Sequence, residues 1–127
     1  MAYKKAFTVA MKIFDVTKRF PKEELFGLTD QIRRCSRSVC ANIAEAYRKR
    51  SYEKHFVSKL SDADSENTET QVWLQFAIAC CYITKEEYDE LFQASIEVGK
   101  LLNYMIYHPS EFQPKSIKQR NDANLIP

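Results

Sequence analysis

Only two glycines, Gly27 and Gly99, and four prolines punctuate the chain. A β-sandwich or barrel needs many turns and an α/β fold needs glycine-rich loops, so this poverty argues against both and for long helices. Long hydrophobic runs are missing too. The longest uncharged stretch, residues 70–84, includes glutamines and is too short and too polar to span a bilayer. The first twenty residues break every apolar run with charge, unlike a secretory signal. The four cysteines (Cys35, Cys40, Cys80 and Cys81) have no CxxC or Cys/His spacing, and a helix points the adjacent pair to different faces. The expectation is therefore no zinc site, with thiols buried as small apolar side chains in a reducing cytoplasm.

Catalytic patterns are equally scarce. His55 follows Glu53 by two residues, the wrong spacing for the Glu-x-x-His pair of a di-metal bundle, and His108 has no carboxylate four residues before it. Neither histidine has a recognisable serine or cysteine partner. The two glycines stand too far apart to form a phosphate-cradling loop. These absences point to a protein that is not an enzyme and needs no cofactor.

What is present is enough for one domain: 127 residues, 45% of them apolar and 28% charged. The net charge of +2 hides an asymmetry, because residues 1–50 hold twelve Lys/Arg against five Asp/Glu while residues 51–90 hold three against nine. The basic half can meet phosphates, or it can pair with the acidic segment of its own chain.

Periodicity predicts four helices. Over residues 3–19, Phe7, Ala10, Phe14 and Thr17 recur at three-four spacing beside Val9, Ile13 and Val16, until Phe20-Pro21 stops the pattern. After a short PKEELF piece closed by Gly27, Thr29 or Asp30 caps a second helix running to about residue 49. Its stripe is Ile32, Ser36, Val39, Ile43 and Ala46 or Tyr47. Its many small residues suit a central position with close neighbours. With Ser51 as a cap, a third helix reaches about residue 82 on a heptad seam of Phe56, Leu60, Ala63, Asn67, Thr70, Leu74, Ala77 and Cys81. Thr84 and Glu87 form a capping box for the fourth helix, whose seam is Tyr88, Leu91, Ser95, Val98, Leu102 and Met105, and His108-Pro109 ends it. Short connections make this an all-α, up-down-up-down four-helix bundle over residues 1–112, with a polar, flexible tail at 113–127.

Asp62, Glu66 and Glu69 share one stripe of the third helix and could hold a divalent metal. The alternative is an interhelical network. A tight turn at Arg50 and Ser51 sets Arg37 opposite Asp64 and brings Arg33 and Arg34 within a turn of Glu66 and Glu69, which would favour register more than stability. The remaining basic residues are Lys4, Lys5, Lys12, Lys18, Arg19 and Lys22 on the first helix and its exit, and the Arg48-Lys49-Arg50 triplet ending the second. Only Glu53 and Glu45 lie near that triplet. A solvated helix face is one reading of these charges. The other is a surface that grips phosphates, with Tyr47 and Tyr52 stacking on bases. Trp73, Phe76 and Phe92 lie beside the seams, and so much aromatic surface favours a homo-oligomer.

The run QIRRCSRSVCANIAEAYRKRS, entered by FPKEELFGLTD, resembles the signature of the bacterial four helix bundle protein family. That family includes the protein encoded by intervening sequences in large-subunit ribosomal RNA genes, and the accessory variability determinant of diversity-generating retroelements is a relative. The stretches KLSDADSENTETQVWLQFAIACCYITKEEYDEL and VGKLLNYMI extend the resemblance over roughly residues 3–112. It implies a homopentameric ring of four-helix protomers without known catalytic activity, whose retroelement relative binds nucleic acid through a basic surface and engages a reverse transcriptase. Carried over by position, the basic residues are Arg33, Arg34 and Arg37 before the ANIAE core and Arg48, Lys49 and Arg50 after it. Asn42 and Glu45 are helix-packing residues. Two positions depart from the family pattern, Ala46 and Cys81 standing where glycine is frequent. The chain is also far less basic than the retroelement relative, so its nucleic-acid binding should be weaker and more salt-sensitive. Three functions are therefore carried forward: an oligomeric, non-catalytic module binding RNA or an RNA–DNA complex, a cytoplasmic scaffold that recruits proteins, such as a reverse transcriptase, without touching nucleic acid or membrane, and, behind both, a metal-dependent enzyme using Asp62, Glu66 and Glu69.

Overall fold

The computed structural model describes residues 1–114, so the tail expected at 113–127 lies almost wholly outside the described residues. Four helices account for the bundle: α1 (Ala2–Thr17), α2 (Leu28–Arg48), α3 (Glu53–Ala79) and α4 (Lys85–Tyr107). Two short 3₁₀ turns, Lys22–Glu24 and Pro109–Phe112, flank them, and no strand occurs among the described residues. Each helix packs on its sequence neighbours and α4 closes on α1, leaving α1 diagonal to α3. The α2–α3 interface is the most extensive, as the small residues of α2 require. No helix among the described residues is long and apolar enough to cross a membrane.

The α3 seam is buried from Phe56 to Ala77, and Leu91, Ser95, Val98, Leu102 and Met105 complete the core from α4. Two apolar clusters result. One holds Ala2, Ala6, Val39, Ile43, Phe56, Leu60 and Leu102; the other holds Val9, Ile13, Ile32, Leu74 and Leu91. Polar seam residues lie among these apolar ones. Asn67 Nδ2 donates to the Ser95 carbonyl at 2.8 Å, and the single Thr70 hydroxyl proton is shared between Cys35 Sγ at 3.2 Å and the Glu66 carbonyl at 2.9 Å. Buried hydrogen bonds of this kind specify register, since a slipped helix would leave them unmade.

Several expectations change. The α1 core stripe is Ala2, Ala6, Val9, Ala10, Ile13 and Thr17, with Phe7 half in solvent, because small side chains let α1 lie close to its neighbours. Neither Thr29 nor Asp30 caps α2. Its N-cap is Gly27, and the Leu28 N–H is bound by Oε1 of Glu24 at 3.2 Å. A Cβ at Gly27 would sit 2.9 Å from that oxygen, so glycine makes room for the cap. The other Glu24 oxygen accepts from Tyr82 Oη at 2.9 Å, and this hydrogen bond pushes the Tyr82 phenol up to about 12. Helix α3 begins at Glu53 behind Tyr52 without a side-chain cap, so Ser51 plays no such role. The Thr84–Glu87 capping box forms as expected.

Cys81 is not part of the seam. It is exposed and carries φ 62°, the left-handed residue of a helix stop in which Tyr82 N–H reaches the Ala77 carbonyl and Cys81 N–H the Ile78 carbonyl. Glycine adopts that conformation without a Cβ clash. Cys81→Gly is therefore expected to stabilise the fold by about 0.5–1 kcal/mol, read as a rise in the urea midpoint at unchanged m-value. Cys80 is exposed as well, so only Cys35 and Cys40 behave as buried small side chains, and burial pushes the Cys35 thiol up to about 11.

Candidate nucleic-acid interface

Helix phase divides the candidate basic residues of α2: Arg33 and Arg37 fall on the side toward α1 and Arg34 turns toward α3, while Arg48 ends the helix and Lys49 and Arg50 lie in the connection beyond it. The phase of Arg33 and Arg37, turned onto Phe14 of α1, is why they do not reach the acidic stripe, and the register differs as well. Cys35 lies opposite Thr70 and Glu45 opposite Lys59, about one helical turn further along α3 than a turn at Arg50 and Ser51 would give. The chain spends Lys49–Tyr52 on the connection.

The expected α2–α3 arginine–carboxylate pairs are thus not made within 4 Å. Arg34 is paired on its own helix with Asp30 at 3.7 Å, and it lines a shallow groove with Gln31, Cys35, Ser38, Glu66 and Glu69. Burial, then repulsion from Glu69 and Asp62, raises the Glu66 carboxyl above its usual range, and Arg34 opposes that rise only weakly. Burial raises Asp64 as well, and its Oδ1 lies across from Gly99 on α4, away from Arg37. Glu69 accepts from Trp73 Nε1 at 3.3 Å. Among the described residues no group of three or more His, Cys, Asp or Glu is arranged to hold a metal ion, so Asp62, Glu66 and Glu69 do not converge.

Acidic partners for the basic half come from α4 instead. Lys5 meets Glu97 at 2.9 Å, and Lys12 pairs with Glu90 and Arg19 with Glu87. Lys18 lies 3.6 Å from Asp15. These pairs are largely exposed and contribute little to stability, but they neutralise much of α1. Glu45, one of two acids expected near the triplet, is bound by Lys59 at 2.9 Å.

Arg33, Arg37, Arg48, Lys49 and Arg50 make no ion pair among the described residues. Arg33 is held by an aromatic ring and a hydroxyl: its Nε–H donates to Thr17 Oγ1 at 2.8 Å, and its guanidinium lies 4.8 Å from the Phe14 ring centre. Arg37 and Lys18 approach the same ring at 5.6 and 4.8 Å. At the far end of α2 the Arg50 guanidinium covers Tyr47 at 4.3 Å. A phenylalanine ring face attracts the cations around it electrostatically without neutralising their charge. Periodicity gives no sign of this cluster, since it depends on the relative rotation of α1 and α2. From Arg33 to Arg48 the helix runs about 22 Å at 1.5 Å per residue, with exposed Ala41 and Ala44 between.

A family model described as 23S rRNA-intervening sequence protein matches residues 1–104. The chain belongs to that family. A crystal structure of a protein of unknown function from the S23 ribosomal protein family, from Bacteroides thetaiotaomicron VPI-5482, superposes with a TM-score of 0.76 at 34% identity. The match covers 84% of this chain and 98% of that one. No curated protein matches. Neither the family description nor the structural neighbour names a catalytic activity. In this member of the intervening-sequence family, Arg33 and Arg37 on the α1–α2 face and Arg48, Lys49 and Arg50 at and just past the end of α2 are cations without an ion pair among the described residues, as are Lys4, Lys22, Lys54 and Lys100 elsewhere.

Proposed function

We propose that this intervening-sequence family protein is a non-catalytic, oligomeric RNA-binding module of the cytoplasm, with Arg33, Arg37, Arg48, Lys49 and Arg50 contacting phosphates. The observation that carries this reading is that Arg33 and Arg37 share one face of α2, that Arg48, Lys49 and Arg50 follow one another at and just past its end, and that none of the five has a carboxylate of the described residues within ion-pair distance. Guanidiniums resting on Phe14 and Tyr47 are pre-positioned, so little side-chain entropy is lost when a phosphate arrives. The family description and the neighbour's ribosomal family name agree with an RNA ligand. Arg34, beside Asp30, Glu66 and Glu69, sits in a negative local field and adds little on this account. Joint replacement of Arg33 and Arg37 by glutamine is expected to lower the logarithmic salt slope of RNA binding by about two, and Arg34→Gln to leave it nearly unchanged. Equal effects from both changes would place the RNA elsewhere on α2.

The oligomer reading rests on two separate apolar surfaces. Phe7 and Met11 are about half exposed on α1, and Val72 and Phe76 are similarly exposed on α3, with Phe26 at 91% on the loop before α2. Because α1 and α3 are diagonal, these surfaces face away from each other, which suits head-to-tail contacts that close into a ring. The family resemblance implies five copies, and five copies of a +2 chain carry only +10. Sedimentation equilibrium is expected to return about five protomer masses, and a monomer mass at micromolar concentration would remove the ring. The scaffold alternative, in which the ring recruits a reverse transcriptase or another protein, keeps the oligomer and drops the RNA.

A further inference from the structure

At the end of the bundle where α1 starts and α2 and α4 finish, a cleft of about 290 Å³ opens to solvent. Its wall includes Tyr3, Tyr47 and Tyr104 with Ile43, Leu101 and Met105 beneath. The three tyrosines remain 44%, 54% and 47% exposed. Two of the rings are already backed on one face: Arg50 covers Tyr47 at 4.3 Å, and His108 stacks on Tyr104 with ring centres 4.2 Å apart and an interplanar angle of 20°. Tyr104 is further fixed by its hydroxyl, which donates to Glu111 Oε2 at 2.7 Å, and by the edge-on approach of Phe112. Both rings also line the cleft. Aromatic rings whose positions are set beforehand lose little entropy when a flat ligand stacks on them.

We propose that this cleft receives an unstacked nucleobase from a single-stranded segment of the RNA whose phosphates the adjoining cations hold. The inference rests on the RNA-binding reading and adds a preference for single strands over duplex. Charge continuity decides the occupant. Arg50 covers Tyr47 of the cleft wall, and it and the two residues before it, Arg48 and Lys49, carry no carboxylate partner among the described residues. A backbone following those cations would deliver bases to the aromatic wall. Duplex RNA hides its base faces in the helix stack and can use only the cations, whereas a single strand can use both. A cleft at the lower end of the small-ligand range, roughly 300–1,000 Å³, suits one base and not a folded protein segment.

The test compares a ten-nucleotide single-stranded RNA carrying one 2-aminopurine with the duplex of the same sequence. Wild-type protein is expected to quench the 2-aminopurine of the single strand and to bind it more tightly than the duplex. Tyr47→Ala and Tyr3→Ala should each lower the single-strand to duplex affinity ratio by roughly five- to a hundredfold, the range of one base–aromatic stack. Tyr47→Phe should restore that ratio, and because Tyr47 is more than half exposed the alanine variant is expected to keep the wild-type circular dichroism spectrum. Unquenched fluorescence, or alanine variants that weaken single strand and duplex alike, would overturn the cleft while leaving phosphate binding in place. Failure of wild type to bind either RNA would overturn the RNA reading itself. A change of sedimenting mass in Tyr47→Ala with an unaltered ratio would assign the cleft to a second copy of the chain and overturn the proposal.

Discussion

Replacing Arg48, Lys49 and Arg50 together with glutamine is expected to weaken RNA binding on the order of a thousandfold at about 50 mM salt and to lower the logarithmic salt slope by about three. The size follows from counterion release, since each phosphate that the protein ceases to neutralise keeps close to one condensed cation. It also follows from what the triplet lacks. Glu45, the nearest acid on α2, is occupied by Lys59, so the three charges are not neutralised from within. None of the three is buried, and Arg48 and Lys49 are exposed, so the variant should keep its helices and its sedimenting mass. Positive charge at the end of α2 interacts favourably with the helix dipole, and its removal costs roughly 0.3–1 kcal/mol per group at most. Circular dichroism and sedimentation separate that small cost from the binding defect. Undiminished binding would assign the triplet to dipole compensation alone.

Phe56→Ala carries the largest expected stability effect, about 3–5 kcal/mol by chemical denaturation. Phe56 is 1% exposed at the first seam position of α3, within the apolar cluster that joins the start of α1 to the ends of α2 and α4, and its ring lies 6.1 Å from that of Phe112. The effect combines transfer of the ring with a cavity between helices that cannot collapse, because Leu60 and Leu102 are already fully buried beside it. A domain of this size has about 5–15 kcal/mol in total, so the variant should approach partial unfolding at 37 °C. By contrast Phe7→Ala, half exposed in the protomer, should cost a small fraction of this unless it weakens assembly.

Phe56 and Phe7 also mark how far the amino-acid sequence can be read. The α3 seam is legible because a strict three-four alternation sustained from Phe56 to Ala77 has one helical solution, and every member of it is buried. The Thr84–Glu87 box is legible because its chemistry is local. On α1 periodicity puts Phe7 on the core stripe, since a large aromatic reads as core, while the helix actually buries Ala2, Ala6 and Ala10 to pack closely. Cys81 continues the heptad in the sequence, yet the chain turns left-handed there, a conformation that the side chain does not announce. The interhelical charges are least legible. The rotation of α2 that turns Arg33 and Arg37 onto Phe14 keeps them from the acidic stripe, and several partners of the basic half lie on α4, which a two-helix register argument leaves out. The proposal of an RNA surface therefore rests on contacts that periodicity does not show. Arginines expected to face carboxylates rest on Phe14 and keep their charge available.

The most direct measurement is a fluorescence-anisotropy titration of the purified protein with labelled structured RNA at about 50 and 200 mM salt. A surface that engages about five phosphates requires affinity to fall by roughly two to three decades between the two conditions. No binding at the lower salt would contradict the account: the arginines on Phe14 and Tyr47 would then serve packing alone, and the protein-recruiting scaffold would replace the RNA-binding module.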